Sequence, residues 1–166
     1  IDEAWGVTVR DVSFELLLGP ARQEAAAILV EDSAEIHFVG VRVDGVTGGA
    51  GGNAYDGQGS GQGAGIILDG ASFVTIRGAE LHDIAGGRAG DATSGYGNGG
   101  TAGMGIGILL RGGADNLRLE DSAVDHLRGG QGGKRGGNAG TVNGAGGDVG
   151  GVLVSKGRGL DLLRLR

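Results

Sequence analysis

The chain has 166 residues, of which 41 are glycine, one is proline and none is cysteine, and 14 Lys+Arg against 20 Asp+Glu leave a net charge of −6. The acidic balance argues against nucleic acid or an anionic membrane as partner, and the missing cysteine removes disulfides, thiolate chemistry and Cys-based zinc sites. Glycine at this level suggests low complexity, yet 42 residues are Leu, Ile, Val or Phe, and 40 of those lie outside three glycine tracts at Gly48–Gly65, Gly86–Gly105 and Gly129–Gly151.

In chain order, a partial repeat comes first, Gly6-Val7-Thr8-Val9-Arg10-Asp11-Val12-Ser13-Phe14. Ala21–Ala27 is the only stretch with any helical spacing, and it runs into Ala25–Val30, the longest apolar run and far too short to span a membrane. A full repeat follows: Ile28–Glu31, then Glu35–Asp44, in which apolar and polar residues alternate as in a strand. The pattern returns 38 residues later at Ile66–Asp69 and Phe73–His82, and again 42 or 43 residues later at Ile108–Arg111 and Asn116–Asp125. A fourth copy begins at Val152 and runs to the last residue, Arg166. Each copy holds three short strand-like runs, the size of one coil of a three-sided solenoid. The glycine tracts all leave at the same joint, after Val46-Thr47, Ile84-Ala85 and Leu127-Arg128, so they should stack on one side.

The unit Gly65–Ile84, Gly-Ile-Ile-Leu-Asp-Gly-Ala-Ser-Phe-Val-Thr-Ile-Arg-Gly-Ala-Glu-Leu-His-Asp-Ile, resembles the coil repeat of the right-handed parallel β-helix, the pectin-lyase-like superfamily, of the glycine-rich secreted or bacterial surface type. The resemblance implies an all-β, right-handed parallel β-helix of about four to five coils, one domain over residues 1–166, with three stacked glycine-rich excursions. It also implies an extracellular or cell-surface setting. It does not select an activity, because the superfamily mixes lyases, hydrolases, epimerases, tailspikes, adhesins and stalks.

In such a solenoid, aligned positions become columns. Ile28/Ile66/Ile108/Val152, Val30/Leu68/Leu110/Val154, Phe38/Ile76/Leu119 and Val43/Leu81/Val124 should point inward. Arg42 should stack on Glu80, Arg77 on Glu120, and Glu31, Asp69 and Arg111 should share a column. Leu29/Ile67/Leu109/Leu153 should then point outward, which demands a cover: the glycine tracts, a partner chain or another domain. No cap is evident at either end, so the chain is expected to be a segment of a longer protein, with further coils or a partner chain on the open ends.

Three readings of the tracts compete: disorder, a packed array of extended polyproline-II-like strands, and a ligand-binding lobe. Spacings of three, as in Gly130/Gly133/Gly136, fit the second. Tyr55 and Tyr96, the only tyrosines, fit the third as platforms for sugar rings. Gly52–Gly57 and Gly146–Asp148 bear a faint likeness to calcium nonapeptides, but with one Asp each they fall short of six to eight oxygen ligands. No metal-binding set and no cofactor is assigned beyond that calcium reading.

The most enzyme-like column is Asp44/His82/Asp125, with Asp83 and His126 beside it, at the foot of the tracts where a cleft could form. Asp125 as acid and Asp44 as base, two rungs and roughly 9–10 Å apart, would suit an inverting glycosidase. The plainer reading is an outward stack of complementary charges. The resemblance to polygalacturonases would require Asn-Thr-Asp, Asp-Asp, Gly-His-Gly and Arg-Ile-Lys, and none is present. Asp69 with Arg111 or Arg77 is the nearest approach to a pectate-lyase site. The expectation is therefore a non-catalytic, structural or adhesive scaffold that faces glycans. A polysaccharide-cleaving enzyme is the alternative. An ice-binding face ranks below both, because only Thr75 stands in the strands where a threonine ladder would be needed.

Overall fold

The computed structural model describes all residues from Ile1 to Arg166. Thirteen strands run in chain order: β1 (Thr8–Arg10), β2 (Ser13–Leu18), β3 (Ala25–Glu31), β4 (His37–Val39), β5 (Arg42–Thr47), β6 (Gly63–Asp69), β7 (Ser72–Arg77), β8 (Glu80–Ala85), β9 (Gly105–Arg111), β10 (Ala114–Glu120), β11 (Ala123–Val124), β12 (Val149–Val154) and β13 (Gly157–Leu163). They form three parallel sheets, β1-β4-β7-β10-β13, β11-β8-β5-β2 and β12-β9-β6-β3. Each successive strand therefore belongs to the next sheet, and the chain is a parallel β-helix. No helix of the structure is long and apolar enough to cross a membrane. Ala21–Ala27 is not helical: residues 21–23 turn and Ala25–Ala27 enter β3, whose ladder to β6 wins over local helical spacing.

Registry reproduces the columns. Ile28 pairs with Ile66 and Ile66 with Ile108, Phe38 with Ile76 and Ile76 with Leu119, Val43 with Leu81 and Leu81 with Val124. These residues form one buried cluster along the axis, with Val124 and Val152 at its edge. The left-handed bends are equally regular. Two columns lie between strands, Glu3/Asp32/Gly70/Gly112 and Asp11/Gly40/Gly78/Asp121/Arg164, and two fall largely within them, Gly6/Glu35/Phe73/Asn116/Gly159 and Leu16/Gly45/Asp83/His126. Asn, Asp and Gly predominate at these positions because they tolerate positive φ best.

The outward ladder is covered by the chain itself. Ile67 is fully buried and Leu109 is 4% exposed, in a second cluster with Ala64 and Ile106. Ala26, Leu29, Leu153 and Met104, the last from the second glycine tract, pack against it. Beside it Arg111 donates to Asp69 (2.7 Å) and to Glu24 (2.9 Å), and Gln62 donates to Glu24. Glu31, Asp69 and Arg111 stand in one column as expected, and Glu24 from the preceding turn supplies the second carboxylate on Arg111.

The tracts end earlier than expected, at Gly63, Gly105 and Val149, where the next strands begin. Glycine continues into the strands where neighbouring sheets press close: a Cβ on Gly107 would lie 2.4 Å from Val124 Cγ1. What remains of each tract is an outgoing arm (residues 48–53, 86–91, 129–134) and a return arm (57–62, 99–104, 143–148), and the arms form an ordered array. Outgoing arms stack on one another: Gly48 and Gly51 donate to Ala85 and Arg88, and Gly86 and Ala89 donate to Arg128 and Gln131. Return arms do the same, with Ser60 donating to Thr101 and Ala102 to Ala145. One continuous line of bonds zigzags between the two layers: Gly49 N to Gln23 O, Gly61 N to Gly49 O, Gly87 N to Gly61 O, Gly103 N to Gly87 O, Gly130 N to Gly103 O and Gly147 N to Gly130 O. A parallel line runs three residues away through Gln58, Gly90, Gly100, Gly133 and Gly144.

Donors recurring every third residue are the signature of a three-residue turn, that of polyproline II. Two of every three positions face another backbone and the third faces out. A Cβ on Gly103 would stand 1.9 Å from Gly61 O, and one on Gly133 1.9 Å from Gly90 O. The outward positions carry the side chains: Ala50/Arg88/Gln131 and Asn53/Asp91/Lys134. Of the 95 backbone hydrogen bonds, 54 have a partner outside the strands, and the array contributes many of them.

Candidate functional site

The column at the foot of the array starts on β5. Asp44 pairs with His82 in the strand register, and Glu15 with Asp44. The side chains sort differently from the rungs. Arg42 Nη1 donates to Glu80 Oε2 at 3.0 Å and its Nη2 to Asp44 Oδ2 at 3.4 Å, so Asp44 is held by arginine and not by histidine. His82 Nδ1 lies 2.5 Å from Asp125 Oδ1, and its Nε2 lies 3.9 Å from Glu80 Oε2. His126 Nδ1 approaches the same Asp125 oxygen at 2.7 Å. The backbone fixes Asp125 in turn, its amide donating to Leu81 O at 3.0 Å.

Adjacent residues on a flat strand point to opposite faces. Asp125 and His126 share a face because His126 has φ +51°, at the same left-handed bend as Asp83 and Gly45. The strand β11 also stops at Val124, one residue short of Asp125. The result is the one group of three or more His, Asp or Glu donors within reach of a common point, His82, Asp125 and His126, their atoms within 4.8 Å of one another. The third member lay beside the expected column, and only the bend geometry brings it in.

The imidazoles of His82 first, then His126, hold the Asp125 carboxyl below its ordinary range. That direction opposes a general-acid role, which needs a raised carboxyl. Nor does the column line a cleft. Five surface hollows are present, and none is lined by Asp44, His82, Asp125 or His126. The pair Asp69–Arg111 is likewise tied up with Glu24 in the wall over the outer ladder.

Tyr55 and Tyr96 sit at the outer tips of the first two tracts, 61% and 71% exposed. Their loops touch: a Cβ on Gly97 would lie 1.7 Å from Tyr55 O. The tips are closed by a device that sequence reading missed. Asn53 Oδ1 accepts the Asp91 amide, and Asp91 Oδ1 the Lys134 amide, each at 2.8 Å. Asp56 Oδ1 accepts the Asn98 amide (2.8 Å) and Asn98 Oδ1 the Val142 amide (2.9 Å). The signal was available, since Asn53, Asp91 and Lys134 are offset by 38 and 43 residues, as the strands are. Asn53 and Asp56, on which the calcium reading rested, thus serve as acceptors for neighbouring loops, and no cluster of carboxylates gathers in the tracts.

No protein-family model matches the chain, and neither a curated protein nor a solved structure matches it.

Proposed function

We propose that the chain is a non-catalytic β-helix module of the pectin-lyase-like kind, working outside the cell as a structural or adhesive scaffold whose glycine lobe faces glycans. The observation that carries this reading is the ordered array itself. Backbone bonds and the Asx ladders hold two solvated tyrosines on adjoining loop tips. Aromatic faces held in place lose little entropy when a sugar ring stacks on them. Exposed apolar side chains on the first and last coils, Trp5, Leu16 and Leu18 on one and Leu160, Leu162 and Leu165 on the other, support the docking of a partner chain as part of that scaffold role.

The test is a panel of soluble neutral and uronic polysaccharides, with retention of the protein and release of new chain ends read in the same samples. Retention that falls at least tenfold in a Tyr55→Ala/Tyr96→Ala double variant, without release of ends, is the expected result. Release of ends that disappears in Asp125→Asn would replace the scaffold with a polysaccharide-cleaving enzyme. Retention unaltered by the double variant would move the glycan surface away from the tips.

A further inference from the structure

We propose that His82, Asp125 and His126 form a binding site for a zinc-class divalent cation that staples the third coil to the fourth. The inference is independent of the glycan reading. Two imidazole nitrogens converge on one carboxylate oxygen at 2.5 and 2.7 Å, so three donors already face a common point. Two nitrogens and one oxygen are the donor set of Zn²⁺ and its neighbours, and not of Ca²⁺ or Mg²⁺, which take oxygen throughout. Zinc–nitrogen bonds of about 2.0–2.1 Å in a tetrahedron separate donors by roughly 3.4 Å. The present separations, none above 4.8 Å, reach that by small rotations of solvent-facing side chains.

The surroundings fit as well. Metal-bound histidines usually present their second nitrogen to a carboxylate that fixes the ring. His82, with Nδ1 toward the site, has Nε2 3.9 Å from Glu80 Oε2, and Glu80 is anchored by Arg42. Backbone rigidity is supplied by the Asp125 amide bond to Leu81 and the left-handed turn at His126. Side-chain exposure of 22%, 46% and 67% leaves an entry path and room for water as the fourth ligand. His82 comes from β8, and Asp125 with His126 from the next rung, so a bound cation would tie the short β11 to β8, where only Ala123 and Val124 pair.

The experiment is calorimetric titration of the full, tag-free chain with Zn²⁺ at neutral pH, with Co²⁺ absorption as the report on geometry and thermal midpoint as the report on stapling. The expected result is one Zn²⁺ per chain, a tetrahedral Co²⁺ spectrum and a midpoint that rises with zinc concentration. His82→Gln, His126→Gln and Asp125→Asn should each weaken binding by more than about tenfold, the loss that outer-shell changes alone cause. His37→Gln, which alters the remaining histidine on β4 of another sheet, should leave it unchanged. Metal-free circular dichroism confirms that each variant is folded. Absence of stoichiometric Zn²⁺ binding overturns the proposal, as does binding that survives His82→Gln and His126→Gln, or equal binding of Ca²⁺.

Discussion

At Gly87 one methyl group separates two tracts from a collision. A Cβ there would lie 2.3 Å from Gly49 O, and that oxygen belongs to backbone that cannot swing aside. Gly87→Ala should therefore destabilise the fold by about 1–3 kcal/mol, as overpacking does. Gly146→Ala, whose Cβ would meet nothing nearer than 3.7 Å, should stay within about 0.5 kcal/mol. Urea midpoints of the two variants check the contrast, and equal effects would contradict the packed array. A second prediction concerns acid. Asp121, through Arg164 first, and Asp125, through His82 first, are held below the ordinary value of 3.8. For a depressed carboxyl, the stability it contributes is present above that value and is lost as pH falls through the folded one. The gap in melting temperature between wild type and Asp121→Asn should thus be positive at pH 6 and shrink as pH drops below about 3.8. A gap that stays constant to pH 2 would contradict the pairing. At this scale the sequence was only partly legible. Asp44, His82 and Asp125 do share a column, but Arg42 captures Asp44, and the left-handed bend adds His126. Both depend on side-chain reach and on φ, which no alternation pattern encodes.

The elements were far more legible, because parallel in-register stacking turns a constant sequence offset into a spatial column. Offsets of 38 and 42 residues placed Ile28 over Ile66 over Ile108 without any coordinates. The same logic required a cover over Leu29/Ile67/Leu109/Leu153, and the cover exists. Leu109→Ser should cost about 2–5 kcal/mol, near the cost of Leu81→Ala in the inner core, because both sites are closed. Denaturant unfolding of the pair checks this, and a neutral Leu109→Ser would mean that the outer cluster is open to water. Strand starts were not legible. Gly63, Gly65 and Gly105 read as tract although they are strand, since an added Cβ at Gly65 would lie 2.9 Å from Ile84 Cδ1. Glycine there answers the crowding of a neighbouring sheet, and composition alone assigns it to the tract.

Over the whole molecule, two structures share three successive turns: a β-helical coil with an apolar axis and a glycine arm pair with none. A solenoid is stabilised by contacts between neighbouring repeats. Here the neighbours are joined twice, by strand ladders and by the zigzag from Gln23 to Gly147. The two halves should therefore melt together, and the tyrosine tips should sit on a rigid support, which the glycan reading requires. Composition could not reveal this, because the same glycine count serves disorder and close packing alike. The direct measurement is residue-resolved amide exchange. Gly87, Gly103, Gly130 and Gly147 should exchange as slowly as Val43, Leu81 and Ile108 in the sheets. Exchange of those glycines at the rate of an unstructured peptide, with the strands still protected, would contradict the ordered lobe and the function built on it.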